Sequence, residues 1–222
     1  MKETAVKICG LQSVEVLKSM INLPVDYVGF VFARSKRQVS SEQAAELLSL
    51  LQYWSNGAAP QSVGVFLNPS PDELENVLRA APLDVVQLHG TEDPAFCQDV
   101  KDRFGVRVLK AFSVKEDGSV HGKLDLDAYA GLLDGLLLDT YDPKYGGGSG
   151  HSFNWRAVNP YRDWAMAQGI PLFVAGGLHS DNVELLIETL QPDGVDVSSG
   201  VETAGVKDPI KIAEFIERVK GR

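Results

Sequence analysis

The chain has 222 residues, 44% hydrophobic and 23% charged, with 21 basic against 30 acidic side chains and a formal net charge of −9. That balance excludes disordered, collagen-like and coiled-coil architectures, and a diffuse negative field without a Lys/Arg cluster disfavours nucleic acid and anionic membranes as partners. Two cysteines are too few for a disulfide framework, the start MKETAVKICG has no apolar signal core, and no apolar run reaches membrane-spanning length, so a soluble cytoplasmic protein is expected.

Short apolar, β-branched runs alternate with helical patterns along the chain. In order, the runs are 5–9, 27–32, 62–67, 84–88, 106–112, 136–139, 171–175 and 195–198. Most are almost continuously apolar, the pattern of parallel strands covered on both faces. Helical spacing of apolar residues predicts helices over 40–51, 71–78, 93–104, 182–190 and 209–219. The stretch 113–122 is polar and contains glycine, so the fifth crossover is expected to be mostly loop. Eight such units average about 28 residues each, which fits a compact (β/α)8 TIM barrel of the α/β class. A doubly wound open sheet is the structural rival. The strand count and the polar or glycine residues just after each strand favour the barrel. No Pro/Gly/Ser-rich linker divides the chain, so 1–222 is expected to be a single domain.

Chemistry in such a barrel belongs at the carboxyl ends of the strands. The first strand ends in Lys7-Ile8-Cys9-Gly10, the fourth in Gln87-Leu88-His89-Gly90 and the sixth in Asp139. The seventh ends in Ala175-Gly176-Gly177 and the eighth in Ser198-Ser199-Gly200. Glycine turns at the last two positions serve tight bends in any fold. Together, at these two strands, they point to a phosphate cradle of backbone N–H groups around Gly176, Gly177, Ser199 and Gly200. Lys7 and Cys9 share one face of their strand by period-two alternation. Cys9 is either a small buried hydrophobe or, as a thiolate, a base; Lys7 either assists it or pairs with Asp139. Asp139 closes an apolar run, as a turn cap or as a partly dehydrated general acid. Cys9 as base and Asp139 as acid would form a proton-shuffling pair needing no cofactor. Cys97 lies in a helical pattern and reads as a packing residue. His121 and His179 read as solvent-facing, and His151 falls in a glycine loop. No histidine or cysteine spacing suits a metal, so none is expected.

Several stretches together carry a resemblance. They are VKICG at 6–10, GFVFARSKRQVS at 29–40, VGVFLN at 63–68, DVVQLHG at 84–90, LLLDT at 136–140, YGGGSGHSFNW at 145–155, VAGGL at 174–178 and DVSSGVE at 196–202. Over essentially its whole length the chain resembles the phosphoribosylanthranilate isomerases of tryptophan biosynthesis. The resemblance implies a single (β/α)8 barrel and a cofactor-free Amadori rearrangement. Its substrate would be N-(5-phosphoribosyl)anthranilate and its product 1-(2-carboxyphenylamino)-1-deoxyribulose 5-phosphate. It also implies Cys9 as general base, Asp139 as general acid, Arg37 on the anthranilate carboxylate, His89 near the ring and the two glycine turns on the phosphate. Lys7 and Gln87 complete the expected substrate-binding set. Two departures stand out: one more glycine at 146–148 than the family's usual loop, and ARSKR where relatives often carry proline, which leaves Arg34 as a rival carboxylate ligand to Arg37.

Other readings are a different phosphosugar barrel or a barrel without activity. Indole-glycerol-phosphate synthase would want a lysine and glutamate pair at strand ends, and Lys7 and Lys110 lack the matching acid. Aminoimidazole carboxamide ribotide isomerase would want a second phosphate site and paired aspartates. A non-catalytic anion-binding module would have no need of an intact acid and base. Oligomeric state is not legible in the sequence.

Overall fold

The computed structural model describes residues 3–115, 119, 125–140 and 158–221. Eight strands run parallel: β1 (Ala5–Cys9), β2 (Tyr27–Val31), β3 (Gln61–Phe66), β4 (Val85–Leu88), β5 (Arg107–Val114), β6 (Gly135–Thr140), β7 (Leu172–Val174) and β8 (Gly194–Val197). They close in chain order, with β8 returning to pair with β1, so the expected barrel forms and the open-sheet rival does not.

The helices are α1 (Val14–Ser19), α2 (Ser41–Leu48), α3 (Pro71–Ala80), α4 (Pro94–Phe104), α5 (Asn159–Gln168), α6 (Val183–Leu190) and α7 (Pro209–Lys220). Their starts follow from local chemistry. Ser13, Ser40, Ser70, Asp93 and Asp208 each accept a hydrogen bond from a first-turn amide. Proline sits in the first turn of α3, α4 and α7, where its missing N–H costs nothing. Gly105 and Gly169 end α4 and α5 in the left-handed region that favours glycine. Sequence spacing missed α1 and α5, and it missed a hairpin after β8 made of β9 (Glu202–Thr203) and β10 (Val206–Lys207). The expected loop at 113–122 falls mostly outside the described residues, as does the glycine loop at 146–150.

Apolar burial divides into two layers. Val63, Val85, Leu109, Ala111, Leu137, Phe173 and Ala175 form a cluster of their own, and a larger one includes Ile8, Phe30, Leu74, Leu186 and Phe215. Gly194 is needed beside Phe173, because any Cβ there would collide with the ring. At the amino-terminal end an aspartate recurs before every even-numbered strand. Asp26, Asp84, Asp134 and Asp193 accept hydrogen bonds from the backbone N–H of Val6, Ser62, Val108 and Leu172 at 2.7–2.9 Å. Each carboxylate therefore clasps the strand before its own.

Asp84→Ala strands the Ser62 amide and is expected to cost about 1 kcal/mol in urea unfolding. Alanine at all four clasps, which are distant sites, should cost roughly four times as much.

Candidate active site

A cavity holding about 210 Å³ of space for solvent opens at the carboxyl end of the barrel. Cys9 from β1, Arg37 from the turn after β2, Gln87 and His89 from β4 and its turn, and Asp139 from β6 all line it. So do Gly176, Gly177, Asp196, Ser198 and Ser199 from the ends of β7 and β8. Residues scattered over the sequence thus meet around one space.

Lys7 lies beneath this cavity with no solvent exposure. Parallel register sets it opposite Asp196, and its Nζ donates to Asp196 Oδ1 at 2.9 Å. The expected alternative partner, Asp139, is not the one it takes. Burial works against the Lys7 charge, but Asp196 and the neighbouring Cys9 hold its pKa above the ordinary lysine value. The ammonium therefore stays charged. Burial pushes the Cys9 thiol up; Lys7 pulls it down and Asp196 pushes it up again, leaving it above its ordinary value. Gly29 on β2 leaves room for this sulfur, since a Cβ there would sit 2.9 Å from Sγ.

Across the cavity, His89 Nε2 lies 3.5 Å from Asp139 Oδ2. Gln87 Nε2 and His89 Nδ1 are 3.3 Å apart. Burial, together with the positive charges of Lys110 and Lys7, lowers the His89 pKa to about 4, so the imidazole is neutral near pH 7. Beneath it, Lys110 Nζ donates to Glu92 Oε2 at 2.9 Å and to the carbonyls of Leu88 and Gly90. Glu92 also accepts from the Asn68 and Gly90 amides. The buried Lys110–Glu92 pair thus fixes the turn that carries His89.

The mouth beside β8 is built on one carboxylate. Glu202 accepts from Arg37 Nε at 2.6 Å and Nη2 at 3.0 Å, and from Lys207 Nζ at 2.7 Å. Lys36 stands 3.5 Å away. Burial alone would raise the Glu202 pKa, but Arg37 and Lys207 hold it down at about 2. Lys207 also donates to the Ser198 carbonyl at 2.9 Å. Arg34 lines the same cavity but is exposed. Gly176 (φ +88°) and Gly177 (φ +64°) both adopt the left-handed backbone that their turn requires. At Gly200 a Cβ would run into the Leu178 carbonyl, so the β7 and β8 turns approach each other closely. Gly200 itself does not line the cavity.

The family model described as N-(5'phosphoribosyl)anthranilate (PRA) isomerase matches residues 6–218. N-(5'-phosphoribosyl)anthranilate isomerase of Brevibacillus brevis is 46% identical over 217 residues, covering 98% of this chain and 94% of that protein. The chain belongs to the phosphoribosylanthranilate isomerase family. The enzyme of the same name from Geobacillus thermodenitrificans is 40% identical over 214 residues, covering 96% of this chain and 93% of its own. Among solved structures, phosphoribosyl anthranilate isomerase from Thermotoga maritima superposes with a TM-score of 0.81 at 35% identity, covering 99% of this chain and all of that one (100%). A phosphoribosyl anthranilate isomerase in complex with reduced 1-(o-carboxyphenylamino)-1-deoxyribulose 5-phosphate superposes at 0.77 with 33% identity, covering 99% and 100% of the two chains.

For this isomerase family member, sequence reasoning singled out most of the polar cavity residues but neither Asp196 among them nor the ions that support them. Asp196, Glu202 and Lys207 went unnoticed. An acid at the third position of the apolar run Gly194-Val195-Asp196-Val197 was a usable signal for the first. Lys207 follows an unremarkable loop and offers none. His179 is 45% exposed, in line with the solvent-facing reading, whereas His121 and His151 lie outside the described residues. Cys97 is buried in α4, as a packing residue would be. Among the described residues no cluster of His, Cys, Asp and Glu suits a metal ion, and no helix is long and apolar enough to cross a membrane.

His89 gives a pH test. The unfolded chain takes up its proton near the ordinary value of 6.5 and the folded chain only near 4, so the unfolded state binds more protons in between. Stability should therefore fall as pH drops through that window. The ring resonances of His89 should titrate near pH 4 by NMR, and a midpoint near 6.5 would contradict the buried setting.

Proposed function

We propose that the chain converts N-(5-phosphoribosyl)anthranilate to 1-(2-carboxyphenylamino)-1-deoxyribulose 5-phosphate, a step of tryptophan biosynthesis, as a single-domain cytoplasmic enzyme without cofactor. The observation that carries this reading is the meeting of Cys9 and Asp139 on one cavity, inside a chain that matches the isomerase family from residue 6 to 218.

The chemistry follows from the residue types. A protonated Asp139 delivers its proton to the ribose ring oxygen as the C1–O bond breaks, and the nitrogen lone pair forms the Schiff base. That cation acidifies the C2 proton, which the Cys9 thiolate removes. The enolamine gains a proton at C1 and loses one from its C2 hydroxyl, giving the ketone, and exchange with solvent resets both groups. Lys7, charged and buried beside the sulfur, stabilises the thiolate that burial otherwise opposes. Neutral His89 lies against Asp139 and faces the ring of the substrate. The open edge of Arg37 holds the anthranilate carboxylate, in preference to exposed Arg34, because a guanidinium already fixed in place loses little freedom on binding. Gln87 lines the sugar, and the turns carrying Gly176, Gly177, Ser199 and Gly200 take the phosphate.

Loss of the substrate's anthranilate fluorescence follows turnover directly. Cys9→Ala and Asp139→Asn are each expected to lower kcat/KM by about 10²–10⁴-fold, the usual worth of one positioned acid or base. Wild-type rates in both would reject the mechanism. Because the reaction needs the Cys9 thiolate, whose pKa is raised, together with a protonated Asp139, kcat/KM is expected to pass through a maximum with pH and to fall toward both acid and alkali. Side-by-side assays with the anthranilate ribotide and the aminoimidazole carboxamide ribotide separate the two isomerase readings.

A further inference from the structure

A guanidinium has two edges that can grip a carboxylate with two parallel hydrogen bonds: the side formed by Nε and one Nη, and the end formed by both Nη atoms. In Arg37 the side edge is taken, with Nε and Nη2 donating to the two oxygens of Glu202 at 2.6 and 3.0 Å. Among the described residues no hydrogen bond holds Nη1, so the end edge stays open on a residue that lines the cavity. The rest of the side chain is fixed as well. Its Cδ lies over Gly10, where a Cβ would come within 2.6 Å.

Glu202 is itself immobilised. It is 5% exposed, is held by Lys207 Nζ, and sits at the start of the β9–β10 hairpin that carries Lys207 at its end. Glu202 faces three cations, Arg37, Lys207 and Lys36, so one negative charge among three positive ones leaves an excess of two beside the cavity. The hairpin therefore separates two like charges that would otherwise repel, and it sets one edge of Arg37 toward the ligand.

We propose that Glu202 is a positioning residue which, by occupying the side edge of Arg37, aims the end edge at a ligand carboxylate and so sets the preference for a ring bearing that carboxylate. The proposal rests on the reading of Arg37 as the carboxylate ligand. Glu202 acts through Arg37 and touches no reacting atom.

The test compares two probes: the reduced product, 1-(2-carboxyphenylamino)-1-deoxyribulose 5-phosphate after reduction, and its counterpart with hydrogen in place of the ring carboxylate. Their dissociation constants are measured by calorimetry for the wild type, Glu202→Gln, Glu202→Asp and Arg37→Ala. Glu202→Gln keeps the shape but loses the charge; Glu202→Asp keeps the charge but withdraws it by one methylene, so a folding defect in one leaves the other to read. Glu202→Gln is expected to weaken the carboxylate probe by roughly ten- to hundred-fold, the worth of one or two charge-assisted hydrogen bonds, while the carboxylate-free probe changes less than two-fold. A merely structural role would weaken both probes alike and leave their ratio standing, which overturns the proposal. If Arg37→Ala also leaves the ratio unchanged, the reading of Arg37 fails and takes the proposal with it. If Arg37→Ala collapses the ratio but both Glu202 variants keep it, the role of Arg37 stands and only that of Glu202 is lost.

Discussion

A permanently charged ammonium with no access to water is the constraint around which the working end of this barrel is arranged. Asp196, 2.9 Å away, favours the charged form of Lys7 against burial, and Lys7 has no exposure to solvent. Stripping water from an ion costs several kcal/mol, so its partner must hold a fixed geometry. Barrel closure supplies that geometry, because β8 pairs with β1 in a register that sets Lys7 against Asp196. Cys9, two residues on, inherits the field of that pair. A buried setting hostile to a thiolate thereby contains Lys7, and Lys207 after it, to support one.

The same device recurs twice at the mouth. Lys110 with Glu92 stiffens the turn that carries His89, and Glu202 with Arg37 and Lys207 ties the turn after β2 to the hairpin after β8. Together these pairs hold the walls of the cavity from both sides. They also gather cations at one opening of an acidic protein. The chain as a whole carries −9, while beside Glu202 at the mouth three cations, Arg37, Lys36 and Lys207, stand around one carboxylate. At a Debye length of about 8 Å in physiological salt, the distant exposed acids matter little to the potential beside Arg37.

The strands were largely legible, and the reason is physical. A strand covered on both faces needs a nearly unbroken apolar run, and β1 begins and ends where its run does. The residues brought to the cavity were legible because closure collects strand ends, so a residue such as Asp139 need only close its run to be placed. What escaped was short or long-range. Six-residue α1 offers too few turns for periodicity, and the β9–β10 hairpin depends on Ala204 and Gly205 in the left-handed region, at φ +52° and +81°. The partners of Lys7 and Arg37 lie 189 and 165 residues away, a pairing that no local spacing encodes.

The four aspartate clasps give the barrel a rhythm of two. Asp26 joins β2 to β1, Asp84 joins β4 to β3, Asp134 joins β6 to β5 and Asp193 joins β8 to β7, and among the described residues no aspartate clasp of this kind spans the alternate seams. The molecule is thus assembled from quarters, each a pair of strands sealed at its base, while Lys7 with Asp196 bridges β1 to β8 and Lys110 bridges β5 to β4 nearer the mouth. A polypeptide cut between quarters would part along seams without an aspartate at their base, and two such fragments would present matching strand edges for reunion.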